Sequence, residues 1–286
     1  MSGGDNIKIG FIGAGKVGFS LGKYFSENNL NIVGYYSRSL ESAKEAAEFT
    51  KSNYFSSIQE IVIKSDAIII TTPDGVIEDI WNSIKELSIE NKIICHCSGS
   101  LSSRIFSNIE DHNAYGYSIH PMFAISNKYN SHKQLKEAFI TIEGPNKYIK
   151  DIKNMIEGLG NKTQVISWKN KSEYHAASVF VSNHVIALAE TGSSLLKKCG
   201  FSDEEALSAL KPLMINNIQN IVEKGTINSL TGPIERGDIN TIKRHLESLS
   251  EDDRELYRLL SKKLISIGKV KNINRDYSKL EKMMGE

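Results

Sequence analysis

The 286-residue chain predicts an α/β fold: a doubly wound, largely parallel sheet followed by an all-α C-terminal domain, with the boundary after residue 168. Three observations predict it. Short apolar runs alternate with amphipathic stretches through the first half, a glycine-rich turn joins the first run to the first helical stretch, and the β-like runs stop after Trp168. Strand, helix, strand repetition needs right-handed crossovers and covers both faces of a parallel sheet.

The β-like runs are Ile7–Ile12, Asn31–Tyr36, Asn53–Phe55, Ala67–Thr71, Ile93–His96, Ala114–Ile119, Phe139–Glu143 and Thr163–Ser167. Between them lie helical periods, with faces formed by Ala43, Ala46, Ala47 and Thr50, by Ile77, Ile80, Trp81 and Ile84, and by Ile149, Ile152 and Ile156. Such spacing puts apolar side chains on one side of a helix. The last strands are expected to leave the alternation, and Ser118–Leu135, with weak periodicity, reads as a loop or irregular helix.

After residue 168 the helix signals take over. A long helix fits Lys171–Cys199, ending in Lys197, Lys198 and then Gly200 at the C′ position. It is apolar on most sides, so it is expected to be buried, as the axis of the second domain or in a dimer interface. Ser202-Asp203-Glu204-Glu205 reads as a capping box, and Pro212 is expected to restart or kink the next helix. Asp238 stands before a helix with Ile239, Ile242, Leu246 and Leu249 on its apolar face. Ser250–Gly268 forms another, with Leu256, Leu259, Leu260, Leu264 and Ile267. The domains are therefore 1–168 and 169–286.

The glycine turn carries the first chemistry. Gly13-Ala14-Gly15-Lys16-Val17-Gly18 follows a strand and opens a helix, the context in which G-x-G-x-x-G binds a dinucleotide. Gly13 permits the tight turn, Gly15 lets backbone N–H groups approach a pyrophosphate, and Gly18 lets helix and strand pack closely. The second strand ends in Ser37-Arg38-Ser39, where an NAD site carries a carboxylate. Arg38 can grip the extra phosphate of NADP through paired charge-assisted bonds, with Ser37 and Ser39 adding neutral ones. The expected cofactor is NADP(H). The alternative leaves Ser39 as a helix cap and Arg38 as a solvated charge. Thr72, Pro73 and Asp74, after the fourth strand, are expected to line the cofactor cleft.

Bulk properties exclude other classes. Lys plus Arg number 35 against 34 Asp plus Glu, so no basic field calls for nucleic acid. Three cysteines argue against a disulfide framework and for a reducing, cytoplasmic location. Cys95-His96-Cys97 invites a metal reading, but strand alternation sends His96 away from both thiols and no second ligand pair stands at zinc-site spacing. The thiols of Cys95 and Cys97 read as buried strand residues. The N-terminus carries no basic, apolar, small-residue order, and the longest apolar region, within Ala176–Ala189, is interrupted by Ser182, Asn183 and His184. Neither a secretion signal nor a membrane span is expected.

His175 and Asn183 stand two turns apart on the long predicted helix, so both are expected to face the sheet's C-terminal edge, where doubly wound folds bind ligands. Asn183, in an apolar helix, calls for a buried hydrogen-bonded role. An imidazolium at His175 can protonate a carbonyl oxygen as hydride arrives at carbon. A helix-start histidine satisfied by a carbonyl is the equally weighted reading. His120, after a strand end, is a second candidate for proton transfer and Lys171 a third. Ser98 can hydrogen-bond substrate or a nicotinamide carboxamide. Thr231-Gly232-Pro233 makes a shaped loop, and Arg236 suits a substrate carboxylate. Asp238 reads as an N-cap.

The order of these motifs, with Thr71-Thr72-Pro73-Asp74, His96-Cys97-Ser98-Gly99, Ile119-His120-Pro121, Tyr174-His175-Ala176-Ala177 and Leu230 through Asp238, resembles a family of Rossmann-like reductases with a C-terminal helical domain. That family is similar in architecture to pyrroline-5-carboxylate reductases and includes the PanG type of ketopantoate reductase, which makes pantoate for pantothenate and coenzyme A. The resemblance covers essentially the whole chain. It implies hydride transfer from NADPH to the C2 carbonyl of a small hydroxylated 2-oxo acid, with Asp238 at the position of a glutamate that binds the substrate hydroxyl. The better-known ketopantoate reductases carry Lys, then Asn four and eight residues on. This chain matches only the last, at Asn183, with His175 and Val179 at the earlier places. An imine-acid reductase and a non-catalytic NADPH-binding redox sensor are the alternatives. The apolar helices after residue 170 point to a homodimer.

Overall fold

The computed structural model describes residues 7–285. Eight strands form one sheet: β1 (Ile9–Ile12), β2 (Ile32–Tyr36), β3 (Asn53–Tyr54), β4 (Ala67–Ile70), β5 (Ile93–His96), β6 (Tyr115–Met122), β7 (Phe139–Glu143) and β8 (Lys162–Val165). Their order is β3-β2-β1-β4-β5-β6-β7-β8. Pairing is parallel from β3 through β6, β7 runs antiparallel to β6, and β8 runs parallel to β7. Each predicted run overlaps a strand, with β6 running three residues past its run and β8 starting one residue before its own.

β1, β4 and β5 are buried along their whole length because helices cover both faces, which is why they read as continuous apolar runs. On one face α1 (Lys16–Glu27), α2 (Leu40–Thr50) and α5 (Ile149–Gly158) pack Phe19, Phe25, Ala46 and Ile156 onto Phe11, Tyr35 and Ile142. On the other, α3 (Ile58–Lys64) and α4 (Asp74–Ile84) pack Ile61 and Trp81 onto Ile68, Ile70 and Ile94. Cys95 belongs to the first core and the His96 ring lies 5.5 Å from that of Phe106 of the second, tilted by 55°, as strand alternation requires. Cys97, expected within the strand, lies just past its end and is half-buried.

The segment expected to be a loop from Ser118 begins instead as strand. β6 continues to Met122, and only Ser131–Glu137 forms a 3-10 helix. β7 supplies the reason, since Ser118 to Met122 pair with Glu143 to Phe139. A partner some twenty residues downstream satisfies the backbone groups, and local periodicity does not carry that information.

The predicted helix Lys171–Cys199 is two helices, α6 (Lys171–Val181) and α7 (Asn183–Lys198), broken at Ser182 with φ −117° and ψ −80°. The Ser182 hydroxyl donates to Asn183 Oδ1 at 3.1 Å. Short polar side chains that bond locally in this way compete with the helical ladder. The chain divides into two compact units between Phe180 and Val181, so α6 belongs with the sheet.

The second unit holds α7, α8 (Asp203–Ser229), α9 (Gly232–Arg236), α10 (Ile239–Ser248), α11 (Glu251–Lys271) and α12 (Ser278–Met284). Gly200 takes a left-handed φ of 98° after α7, and Ser202 and Glu205 close the capping box. Pro212 lies inside α8, but the backbone leaves helical geometry at Gly225, φ 75° and ψ 168°. Ile234, Ile242, Leu246, Ile265, Tyr277, Leu280 and Met284 make a core. On α11 the buried positions are Ser261, Ile265 and Gly268, while the predicted leucine stripe of Leu259, Leu260 and Leu264 is exposed. α7 and α8 were expected to be buried, yet α7 buries only Ser193 and α8 only Ala206 within the chain. Among the described residues no helix is long and apolar enough to cross a membrane.

Candidate active site

The three glycines of the turn after β1 differ in what surrounds them. Gly13 adopts φ 113°, and a Cβ there would stand 2.9 Å from Thr71 Oγ1. A Cβ at Gly18 would overlap the Gly13 carbonyl oxygen and Thr71 Oγ1, whereas one at Gly15 would meet nothing within 4 Å. Gly15 is the N-cap of α1 and no side chain caps that end, so the first N–H groups of the helix face open space. Thr71 holds the turn by donating to the Gly13 carbonyl at 2.9 Å. Thr72 Oγ1 beside it is buried without a hydrogen-bond partner. An open helix N-terminus above a close-packed glycine turn fits a dinucleotide pyrophosphate. Ala14 and Val17 pack on the core and Lys16 is exposed.

Ser37 and exposed Arg38 follow β2. Ser39 caps α2, its hydroxyl oxygen accepting from the Ser42 N–H at 3.2 Å, so the capping alternative holds for this serine. Its own O–H proton stays free to donate.

Across the sheet's C-terminal edge, a polar cluster runs from exposed Asp74, after β4, to buried Lys171 at the start of α6. Asp74 opens α4, and its carboxylate accepts from Ser98 Oγ at 2.7 Å and Ser100 Oγ at 2.9 Å. Ser98 Oγ accepts in turn from the Ser100 and Leu101 N–H groups. The Ser98 carbonyl receives Lys171 Nζ at 2.9 Å, and the same ammonium donates to Ser118 Oγ at 2.8 Å. Lys171 is 2% exposed. Burial pushes its ammonium down to about 8, against the opposing pull of Glu143 and Asp74. Glu143, also buried, accepts from the Ser103 N–H at 2.6 Å and the Ser103 hydroxyl at 2.8 Å.

Beside this cluster stand the two histidines. His120 Nδ1 lies 2.6 Å from the Tyr174 hydroxyl, with the rings at 87°. The His175 ring centroid is 6.4 Å from that of His120. Both rings crowd Gly99, where a Cβ would stand 2.7 Å from His175 Cδ2 and 2.9 Å from His120 Nε2. Burial pulls His120 down to about 4, with Lys171 and His175 adding to the shift and Asp74 opposing it. His96 is likewise held at about 4 by burial, and its Nδ1 accepts from the Ser98 N–H at 3.2 Å.

The remaining predicted residues lie in the second unit. Asn183 is the exposed first residue of α7, which corrects the expectation of a buried role. The break at Ser182 also removes the argument that placed it on one helical face with His175. Thr231 precedes α9 and Arg236 ends it, both exposed. Asp238 caps α10, accepting from the Thr241 N–H at 3.1 Å. That bond, with help from the Arg236 and Arg244 guanidinium groups, holds its carboxyl below the usual range.

Residues 8–98 match the family described as NADP oxidoreductase coenzyme F420-dependent. The cofactor is NADP(H). Residues 138–264 match a domain of unknown function, DUF2520. No curated protein matches the chain. Among solved structures, it is similar to a Bacteroides fragilis protein described as a candidate NADP oxidoreductase, at 25% identity and TM-score 0.72, covering 91% of this chain and 98% of that one. It is similar to a Thermotoga maritima protein at 26% identity and TM-score 0.72, covering 92% and 98%. A Plasmodium falciparum pyrroline carboxylate reductase with NADP bound shares the fold, at 18% identity and TM-score 0.60, covering 93% and 100%.

Sequence reasoning missed Ser118, Tyr174 and Glu143, and ranked Lys171 last. A lysine in a helix's first turn reads as solvated, and a serine inside a strand reads as filler. The one signal for Tyr174 is its place beside His175.

Proposed function

We propose that the chain is an NADPH-dependent reductase of a small 2-oxo acid, with 2-dehydropantoate (ketopantoate) as substrate and pantoate as product. The observation that carries this reading is the sheet edge shared by the glycine turn after β1 and by His120 of β6, whose ring stands beside that of His175 on α6. Doubly wound folds bind ligands at that edge. NADPH supplies the hydride. The chain must then align the carbonyl, exclude water and meet the charge that develops on oxygen. His175 is the proton donor: its ring N–H bond breaks as the substrate oxygen gains the proton. Lys171 braces the Ser98 carbonyl, so the loop carrying Gly99 keeps the two imidazoles together.

The test is a panel of 2-oxo acids and cyclic imine acids with NADPH, beside rescue of a pantoate-requiring bacterium. Turnover of ketopantoate with rescue is expected. Turnover of imines alone moves the protein to an imine-acid reductase, and NADPH binding with no turnover makes it a redox sensor. His175→Ala should lower kcat far more than cofactor affinity.

The reading includes a homodimer. Ile215, Ile218 and Val222, which share one face of α8, are exposed, Val222 at 81%, and a helix with one buried residue lacks the packing that stabilises helices in water. A second copy presenting the same apolar stripe is the partner that would cover it. Ile218→Glu with Val222→Glu should convert dimer to monomer in analytical ultracentrifugation, and a monomeric wild-type protein would remove the proposal.

A further inference from the structure

We propose that Tyr174 is a positioning residue that fixes His120 as the neutral tautomer protonated on Nε2, and that this N–H is the hydrogen-bond donor for the substrate's carbonyl oxygen. The donor role rests on the reductase reading. The tautomer stands on geometry. The Tyr174 oxygen and His120 Nδ1 are 2.6 Å apart, a separation typical of a hydroxyl donor, since N–H donors sit at about 2.9–3.0 Å. The phenol therefore donates and Nδ1 accepts. A neutral ring with an occupied Nδ1 lone pair carries its proton on Nε2.

Nε2 faces the backbone at Gly99, where a side chain would collide with it and with His175. Only glycine lets both rings approach this closely. The groups that act on His120 are Lys171, His175, His96 and Asp74, and the Tyr174 phenol bonds it directly. Burial, Lys171, His175 and His96 outweigh Asp74, so the ring is uncharged at physiological pH. Burial also raises the Tyr174 phenol above its ordinary range, which keeps the donated proton on oxygen.

An uncharged imidazole presents an N–H on one side and a lone pair on the other. Were the tautomer to exchange, the lone pair would point where the N–H now does and repel an oxygen gaining negative charge. Tyr174 prevents that exchange. The two histidines thus have separate roles, in which His120 stabilises the oxygen and His175 delivers the proton.

The experiment uses the full chain labelled with 15N-histidine, without cofactor or substrate, with His120→Asn identifying the His120 signals. Long-range 1H–15N spectra should show Nε2 protonated and Nδ1 bare between pH 8 and pH 5. In Tyr174→Phe the same ring should show a mixture of tautomers, and kcat should fall about 10- to 100-fold with the NADPH KM unchanged. A proton on Nδ1 in the wild type, or an unchanged single tautomer in Tyr174→Phe, overturns the proposal whatever the substrate. The expected tautomer with no turnover of any oxo acid or imine overturns the reductase reading and the donor role together.

Discussion

Replacing Lys171 with methionine tests whether its ammonium is a structural brace or a strained charge. The side chain is 2% exposed and makes two hydrogen bonds, to the Ser98 carbonyl and Ser118 Oγ. Two bonds to a charged donor stabilise by about 1.5–3 kcal/mol each. Against them, the fall from an ordinary 10.5 to about 8 means the charged form is disfavoured in the fold by about 3 kcal/mol. Methionine keeps the volume and removes both contributions, so Lys171→Met should lower stability at pH 7.5 by about 0–3 kcal/mol, the two bonds less the penalty. The pH dependence separates the effects. Between pH 8 and pH 10.5 the unfolded chain holds the Lys171 proton more tightly than the folded one, so wild-type stability should rise with pH relative to the variant, by up to about 3 kcal/mol. Urea unfolding followed by tryptophan fluorescence reads the correct unit, because Trp81 and Trp168 both lie in it. Equal pH slopes for the two proteins would show that the buried ammonium carries no such penalty.

Three more outcomes are expected. Gly18→Ala forces the turn open against the Gly13 carbonyl and should weaken NADPH binding at least about tenfold, a loss of about 1.4 kcal/mol; fluorescence titration showing unchanged affinity would count against the cradle. Arg38→Glu should weaken NADPH by about 1.5–3 kcal/mol while sparing NADH, and equal losses for both cofactors would remove Arg38 from phosphate recognition. His96, fully buried and held at about 4 against an ordinary 6.5, should make the sheet unit acid-sensitive. Stability present above pH 6.5 should fall by about 3 kcal/mol as pH drops to 4, because the unfolded state gains the proton first. Melting curves of wild type and His96→Gln that shift in parallel would disprove it.

Much of this molecule is legible in its sequence where the signal is local. The buried parallel strands announce themselves as apolar runs, and the glycine turn, the Ser202–Glu205 box and the Asp238 cap each rest on residues within a few positions of one another. What the sequence hides is long-range. β7 reverses because it pairs with Ser118–Met122, which no periodicity encodes. The break at Ser182 comes inside an otherwise helical pattern, where its hydroxyl bonds to the neighbouring Asn183 side chain. On α11 two apolar stripes compete, and Ile265 with the small Ser261 and Gly268 faces the core in place of the leucines. The site divides in the same way. The cofactor turn is contiguous and readable, whereas Tyr174 meets His120 across 54 residues and Lys171 meets Ser98 across 73.

β6 overhangs β5 by Ile119 to Met122, and β7 and β8 run back down that overhang. The return acts as a ruler: it delivers the chain to Lys171 level with Ser118, where two opposing strand lengths must agree to within a residue. A single added residue in β8 would swing the next three turns of chain by a half-pleat and carry amine, phenol and imidazole off their mark together.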